Sequence, residues 1–501
     1  MPTRHRGLQV LVFVVGAASL GAEIAAARLL APWFGASTIV WANTIAIVLV
    51  ALSIGYALGG RLADRHPTIQ GMSWIVLAAG VLLAVVPYAG DPFLHASVEA
   101  FAHLSVGVFL GSLVGVGVLV AVPVLLLGMI SPYAVRLSVA ELRDTGRTTG
   151  RLYAISTVGS LAGTFLAALL LIPVVGTRRT FLVFALSLTL VAIPGLVRGR
   201  LPALVAPLVI VVLIALPEGI VKSSSADGKV IWERQTEYQY ARVIQAGDGD
   251  RTLELNEGQA VHSIYRPHHY LVGGYWDEML VAPFAGSRRP RSVAILGSAA
   301  GTTARAFGHY FPHVRVDAVE LDPDVTQVGR KLFDLRGPDL HTHTADARPW
   351  LETSRRKYDA VLVDAYRQPY IPFYLATREF FALAKQHLTN GGVVAVNVGH
   401  PEQSDALEKV LAATMRTDFA HVWRDPVDST NTVLVATTSR RNPSTALQGA
   451  TLPAAVRNAA DATAQRLAPA LTGGTVYTDD KAPVEWLVDL SLAQVAEDGH
   501  R

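Results

Sequence analysis

The sequence predicts a multi-span α-helical membrane bundle followed by an α/β doubly wound domain with a small β-sheet at its front. Three observations predict this. Of 501 residues, 51% are hydrophobic and only 17% charged, and the apolar excess lies before roughly residue 220. After that point "VIWERQTEYQYARVIQAGD" and "RTLELNEGQAV" alternate β-formers and carry Gly-Asp turns. From Val293 onward short apolar strands alternate with helical segments. The expected divisions are a transmembrane domain at 1–218, a linker at 219–228, a β subdomain at 229–290, a main domain at 291–490 and a tail at 491–501.

Composition excludes several functions. A net charge of +3, with no basic tract, argues against nucleic acid as a partner. The chain has no cysteine, so disulfides, thiol nucleophiles and zinc-thiolate sites are ruled out.

In the first half, apolar segments fall at 8–30, 38–59, 72–90, 106–130, 152–175, 180–197 and 201–217. Most approach the ~20 residues that a helix needs to cross a bilayer. The first reads as a span rather than a cleaved signal, because it is long, contains Glu23 and is followed by further spans. Glycines four apart, at Gly55/Gly59, Gly107/Gly111/Gly115 and Gly159/Gly163, predict closely packed helices. Glu23 and Arg28 stand in the first apolar helix, where an ionised group is costly. They read either as a polar lock in the bundle or as part of a ligand path.

Arginines mark the side of each loop. Arg4 and Arg6, Arg61 and Arg65, Arg136 to Arg151, and Arg198 and Arg200 all fall on one side and place the N-terminus in the cytoplasm. Only Arg178 and Arg179 oppose the pattern. Seven crossings would leave the C-terminal domain outside, whereas a nucleotide-type site favours the cytoplasm. Three readings stay open: one segment does not cross, a further crossing exists, or the chemistry is extracytoplasmic.

In the second half the strand "SVAILG" runs into the turn "GSAAG", Gly297 to Gly301, and then into a helix. Such a turn frees helix N–H groups for a ligand. Glu320 ends the next strand, where a carboxylate can accept from both ribose hydroxyls. Asp346 ends a third strand, where it can accept from an adenine amino group. The turn lacks the full G-x-G-x-x-G, and no Gly-Lys-Ser/Thr follows it, so NAD and P-loop readings are disfavoured. Asp364 leaves "AVLVD" into an aromatic loop, in the position of a general base. Tyr366, Tyr370, Tyr374 and Tyr275 either wall a pocket or pack in the core. The histidines, His262 among them, show no metal-ligand spacing, so no metal is expected.

From about residue 230 to 490 the order "EYQYARV", "LELNEGQAV", "WDEML", "ILGSAAGTTARA", "VELDP", "ADARPWL", "LVDAY" and "YTDDKAPVEW" resembles the spermidine synthases, or polyamine aminopropyltransferases. The front half, with "GAEIAAARLLAPWFGAS", is similar to bacterial proteins that fuse a multi-span domain to such a synthase. The resemblance implies a Rossmann-like fold of the S-adenosylmethionine-dependent transferase type. It also implies decarboxylated S-adenosylmethionine as co-substrate, an amine as acceptor, the lipid bilayer as surroundings, and admits a homodimer.

Carried over by position, Gln239 corresponds to the glutamine at the thioadenosine group, and Gln259 to one lining the substrate cleft. Glu320 corresponds to the ribose acid, Asp346 and Ala347 to the adenine pair, Pro372 to a proline beside the nucleoside, and Asp364 to the base. Gly297 and Gly301 frame the nucleoside turn, and Tyr366 stands in the substrate loop. The chain departs from the family at three places. Ala300 replaces an aspartate that grips the aminopropyl end, Arg367 replaces an acid that holds the diamine, and Asp277 replaces a histidine. The expected activity is therefore aminopropyl transfer to an amine, with putrescine use in question. One alternative is a methyl or other group transfer from S-adenosylmethionine to a different acceptor. The other is a non-catalytic transporter that senses polyamines or nucleosides.

Overall fold

A computed structural model describes all residues except 1, 35–37, 102–106, 139–144, 197–199, 217–227, 257–259, 287–288, 367–369, 403, 489 and 492–501. Most of the expected linker and tail therefore lie outside the described residues, as do Gln259 and Arg367. The chain forms two compact units: Met1–Ser223 with Gln235–Tyr240, and Ser224–Arg234 with Ala241–Arg501.

The first unit is helical: α1 (Pro2–Phe34), α2 (Thr38–Arg65), α3 (Ile69–Phe101), α4 (Gly107–Leu119), α5 (Ala121–Gly128), α6 (Ile130–Ser138), α7 (Thr145–Phe165), α8 (Ile172–Ala192) and α9 (Arg200–Ala215). A π-helical turn, Leu166–Leu171, joins α7 to α8. The described part of the expected 106–130 span forms consecutive helices, α4, α5 and the start of α6, which runs on to Ser138. Among the described residues five helical stretches are long and apolar enough to cross a membrane, the last being Thr145–Gly195. That stretch is broken at Gly176, whose φ of 82° and ψ of 168° no helix contains. The glycine spacing matches close backbone approach. A Cβ on Gly163 would lie 2.0 Å from the Ala17 carbonyl oxygen, and one on Gly55 2.2 Å from that of Leu125. Glu23 and Arg28 both lie half-buried on α1.

The second unit begins with a four-stranded sheet of β1 (Lys229–Gln235), β2 (Tyr240–Gln245), β3 (Arg251–Leu255) and β4 (Val261–Tyr265), in that order. Next come α10 (Tyr275–Val281), β5 (Ser292–Leu296), α11 (Thr302–Tyr310), β6 (Arg315–Glu320), α12 (Pro323–Leu332), β7 (Leu340–Thr344), α13 (Ala347–Thr353) and β8 (Tyr358–Val363). The chain continues through α14 (Arg378–Gln386), β9 (Leu388–Gly399), α15 (Ala406–Met415), β10 (Val422–Pro426), β11 (Asn431–Thr437), α16 (Pro443–Gln448), α17 (Ala454–Arg466) and β12 (Ala468–Pro469).

The large sheet has the order β12-β10-β11-β9-β8-β5-β6-β7. Strands β9 to β7 are parallel, while β11, β10 and β12 extend one edge antiparallel. The sheet is thus mixed, not purely parallel. Its central strands are continuous apolar runs because helices cover both faces, so no position alternates toward water. From β5 the chain winds outward through β6 and β7, then returns to place β8 on the other side of β5. This reversal opens a crevice at the carboxyl ends of β5 and β8. α10 packs into the core of this sheet with Val293 and Ile295.

Candidate active site

The crevice is shaped first by the "GSAAG" turn. Gly297, Ala299 and Gly301 all have positive φ, at 85°, 46° and 91°. A Cβ on Gly297 would meet the Ala365 backbone at 2.4 Å, so glycine there lets the loops after β5 and β8 touch. The turn's amides are already engaged. Ala299 N–H donates to Glu320 Oε2 at 2.8 Å, and Ala300 N–H to Ser263 Oγ at 3.0 Å. The turn is therefore closed by a carboxylate and offers no open phosphate cradle.

Glu320 ends β6, and its other oxygen accepts from Asp322 N–H at 3.0 Å. A carboxylate has about four acceptor sites, and with the Leu321 N–H also drawing on it, capacity for a ligand hydroxyl remains. Desolvation in the crevice pushes its pKa up to about 7 against the opposing pull of these N–H groups. Asp346 follows β7 and caps α13, accepting from Arg348 N–H at 3.3 Å and from the Tyr374 hydroxyl at 2.9 Å. Ala347, the first residue of α13, is buried behind it.

Asp364 follows β8. Asn397 on β9 donates to its Oδ1 at 2.8 Å, and the Tyr275 hydroxyl donates to it as well. Desolvation pushes this carboxyl up to about 7, and nearby Glu320 adds to the rise. A carboxylate with a pKa near neutrality, held by two donors, is suited to take and release a proton at working pH.

The structure brings Gly297, Glu320 and Asp364 together at adjoining strand ends. Other predicted residues take different places. Tyr366 donates to the Asn397 carbonyl at 2.8 Å and accepts from Gly399 N–H at 2.7 Å, bracing its loop on β9. Both Asp277 oxygens accept backbone N–H groups, from Val272 at 3.1 Å and Gly273 at 3.0 Å. Its carboxylate thus clasps the turn before α10. Pro372 starts a short 3₁₀ turn and accepts from Leu375 N–H at 2.9 Å. Gln239 lies in the β1–β2 turn, where its carbonyl accepts from Thr236 N–H at 2.8 Å. Ala300 is completely buried, packed with Val325, Val328 and Phe333. Its methyl group does not face the crevice.

Asn397 was not among the residues expected in the site. Its signal is visible in "VVAVNVG", one amide inside an apolar strand, which burial obliges to find partners. Asn431 Nδ2 in turn donates to Asn397 Oδ1 at 2.9 Å, which fixes the amide with its Nδ2 toward Asp364.

Residues 275–431 match the spermine/spermidine synthase domain. The chain is 30% identical over 293 residues to a probable polyamine aminopropyl transferase of Bifidobacterium longum (strain NCC 2705). That match covers 53% of this chain and 64% of the relative, so the chain spans just under two thirds of its length. A polyamine aminopropyltransferase of Mycobacterium tuberculosis (strain ATCC 25618 / H37Rv) is 28% identical over 441 residues, covering 82% of this chain and 80% of the relative. That likeness extends into the helical half. A solved structure of a probable spermidine synthase from Corynebacterium glutamicum ATCC 13032 is 20% identical, covers 51% of this chain and 99% of that one, and has a TM-score of 0.37. Within its C-terminal half, the chain thus carries a stretch that matches the spermine/spermidine synthase domain.

Proposed function

We propose that the chain is a membrane-bound aminopropyltransferase that moves an aminopropyl group from decarboxylated S-adenosylmethionine to an amine. The observation that carries this reading is Asp364, a carboxyl raised to about 7 and held by Asn397 and Tyr275 at a strand end beside Glu320. In the reaction the amine nitrogen attacks the carbon next to the sulfonium. The C–N bond forms, the C–S bond breaks, and its electron pair leaves on sulfur as methylthioadenosine. Asp364 takes the proton that the attacking ammonium must lose, and alignment of the two substrates supplies much of the rate. Glu320 holds the ribose and Asp346 the adenine. Incubation of the full-length protein with the donor and a panel of amines, read by mass spectrometry, tests the reading. Methylthioadenosine with an amine heavier by one aminopropyl group is expected. S-adenosylhomocysteine formed from S-adenosylmethionine instead would replace it with methyl transfer.

For the helical half we propose six crossings: α1, α2, α3, the α4–α6 run, α7 and α8. The break at Gly176, inside α8, ends the crossing begun by α7, and the last crossing runs from Thr177 through the 3₁₀ turn to Gly195. α9 has 16 residues and is about 24 Å long at 1.5 Å per residue, short of the ~30 Å hydrocarbon core. An even number of crossings returns the C-terminal domain to the cytoplasmic side marked by the arginines. Protease added to inverted vesicles should cleave beyond residue 220; cleavage only in right-side-out vesicles would reverse the assignment.

A further inference from the structure

Beneath the "GSAAG" turn lies a small cavity bounded by His262 from β4, Ser298, Thr302, Thr303, Trp276 and the Asp364 carboxylate. It leaves about 10 Å³ for the centre of a water molecule, close to the room one water requires. Two of its polar atoms, His262 Nε2 and Ser298 Oγ, are buried and have no hydrogen-bond partner. The threonines are already engaged. Thr302 Oγ1 accepts from Ile264 N–H at 2.8 Å, and Thr303 Oγ1 donates to the Trp276 carbonyl at 3.5 Å. Buried polar groups left unpaired cost about 1–3 kcal/mol each, and proteins usually meet that cost with an ordered water.

We propose that one water in this cavity joins Ser298 Oγ and His262 Nε2 to Asp364, and that His262 is a positioning residue for the base. The hydrogen-bond balance closes. The water accepts from the Ser298 hydroxyl and donates one hydrogen to His262 Nε2 and the other to the carboxylate. Burial lowers the His262 pKa to about 4, so the imidazole is neutral near pH 7 and Nε2 can accept. With one hydrogen held by His262, the other is aimed at Asp364, where it favours the ionised carboxylate. Among the described residues, the other ionisable neighbours of Asp364 are Glu320, Tyr275 and Tyr366, so there the water would be a further donor to the base beside Asn397 and Tyr275.

This inference rests on the assignment of Asp364 as the base, and its test has an arm independent of turnover. A structure of the full-length protein at a resolution that shows waters should place one within hydrogen-bond distance of His262 Nε2, Ser298 Oγ and Asp364; ordered density there without those contacts, or no density, overturns the proposal. In the kinetic arm, His262→Leu should lower kcat about tenfold, leave methylthioadenosine affinity within about twofold, and move the acid limb of kcat/KM to higher pH. His262→Gln, which restores an acceptor oxygen, should recover most of kcat. Parental kcat and acid limb in His262→Leu, or a Gln variant as impaired as Leu, would overturn it. Should His262→Leu fail to bind methylthioadenosine, Ser298→Ala reads the same water and should shift the acid limb in the same direction; an unshifted limb overturns the proposal.

Discussion

Asn397 Nδ2 lies 2.8 Å from Asp364 Oδ1, the amide on β9 reaching across to the carboxylate at the end of β8. A donor at that distance favours the ionised carboxylate and opposes the desolvation that pushes its pKa up to about 7. Removing it in Asn397→Leu should raise the acid limb of kcat/KM by about one pH unit, since a hydrogen bond to a charged group is worth about 1.5–3 kcal/mol. A pH profile of the variant with an unmoved limb would show that Asn397 does not tune the base.

The raised carboxyls make opposite demands on activity and stability. A base works only when ionised, so kcat/KM of the parent should fall as pH drops through about 7. Stability runs the other way. Asp364 and Glu320 keep their protons to higher pH in the fold than in the unfolded chain. Their contribution is therefore full below the ordinary carboxylate pKa near 4 and is lost as pH rises through about 7. Asp364→Asn keeps an oxygen for Asn397 and carries no charge. It should raise Tm, on the order of 5 °C at pH 8 and less at pH 5. Thermal melts of both proteins at the two pH values check the sign.

Gly297 is the position where the turn tolerates no side chain. Its φ of 85° and the 2.4 Å approach to the Ala365 backbone both oppose a Cβ, and backbone cannot step aside. Gly297→Ala should separate the loops after β5 and β8 and weaken methylthioadenosine binding by more than about tenfold, a loss of about 1.4 kcal/mol or more. Calorimetric titration of the detergent-solubilised protein measures this directly.

Much of this site is legible in the sequence because it depends on local patterns. Strand, glycine turn, helix and terminal acid mark Gly297 and Glu320 at adjoining strand ends, where the fold holds them, and make Asp346 a candidate. What the sequence does not show is where a side chain points once two elements pack. Ala300 falls where the resemblance implies an aspartate, yet here its methyl group lies among Val325, Val328 and Phe333. Asp277 likewise follows a recognisable motif but spends both oxygens on a local turn. Asn397 escapes notice because its partner is set by the pairing of β8 with β9, which periodicity alone does not reveal. The antiparallel edge formed by β10 to β12 is long-range for the same reason.

Ala300→Asp introduces into the turn the aspartate that the resemblance implies at this position. In this fold it buries a carboxylate without a counter-charge among apolar side chains. The variant should lose Tm and show no gain in putrescine turnover. A gain at unchanged Tm would mean that the turn swings its side chain into the crevice.

In the proposed reaction Asp364 takes the acceptor's proton while Glu320 holds the donor. The most direct test compares the parent, Asp364→Asn and Glu320→Ala in one assay, reading methylthioadenosine production and affinity with the full-length protein. Asp364→Asn should lose about 10²–10⁴-fold in kcat with affinity nearly unchanged, while Glu320→Ala loses affinity. Equal losses of affinity in both variants, or parental kcat in Asp364→Asn, would show that the two carboxylates do not divide the roles of base and donor anchor.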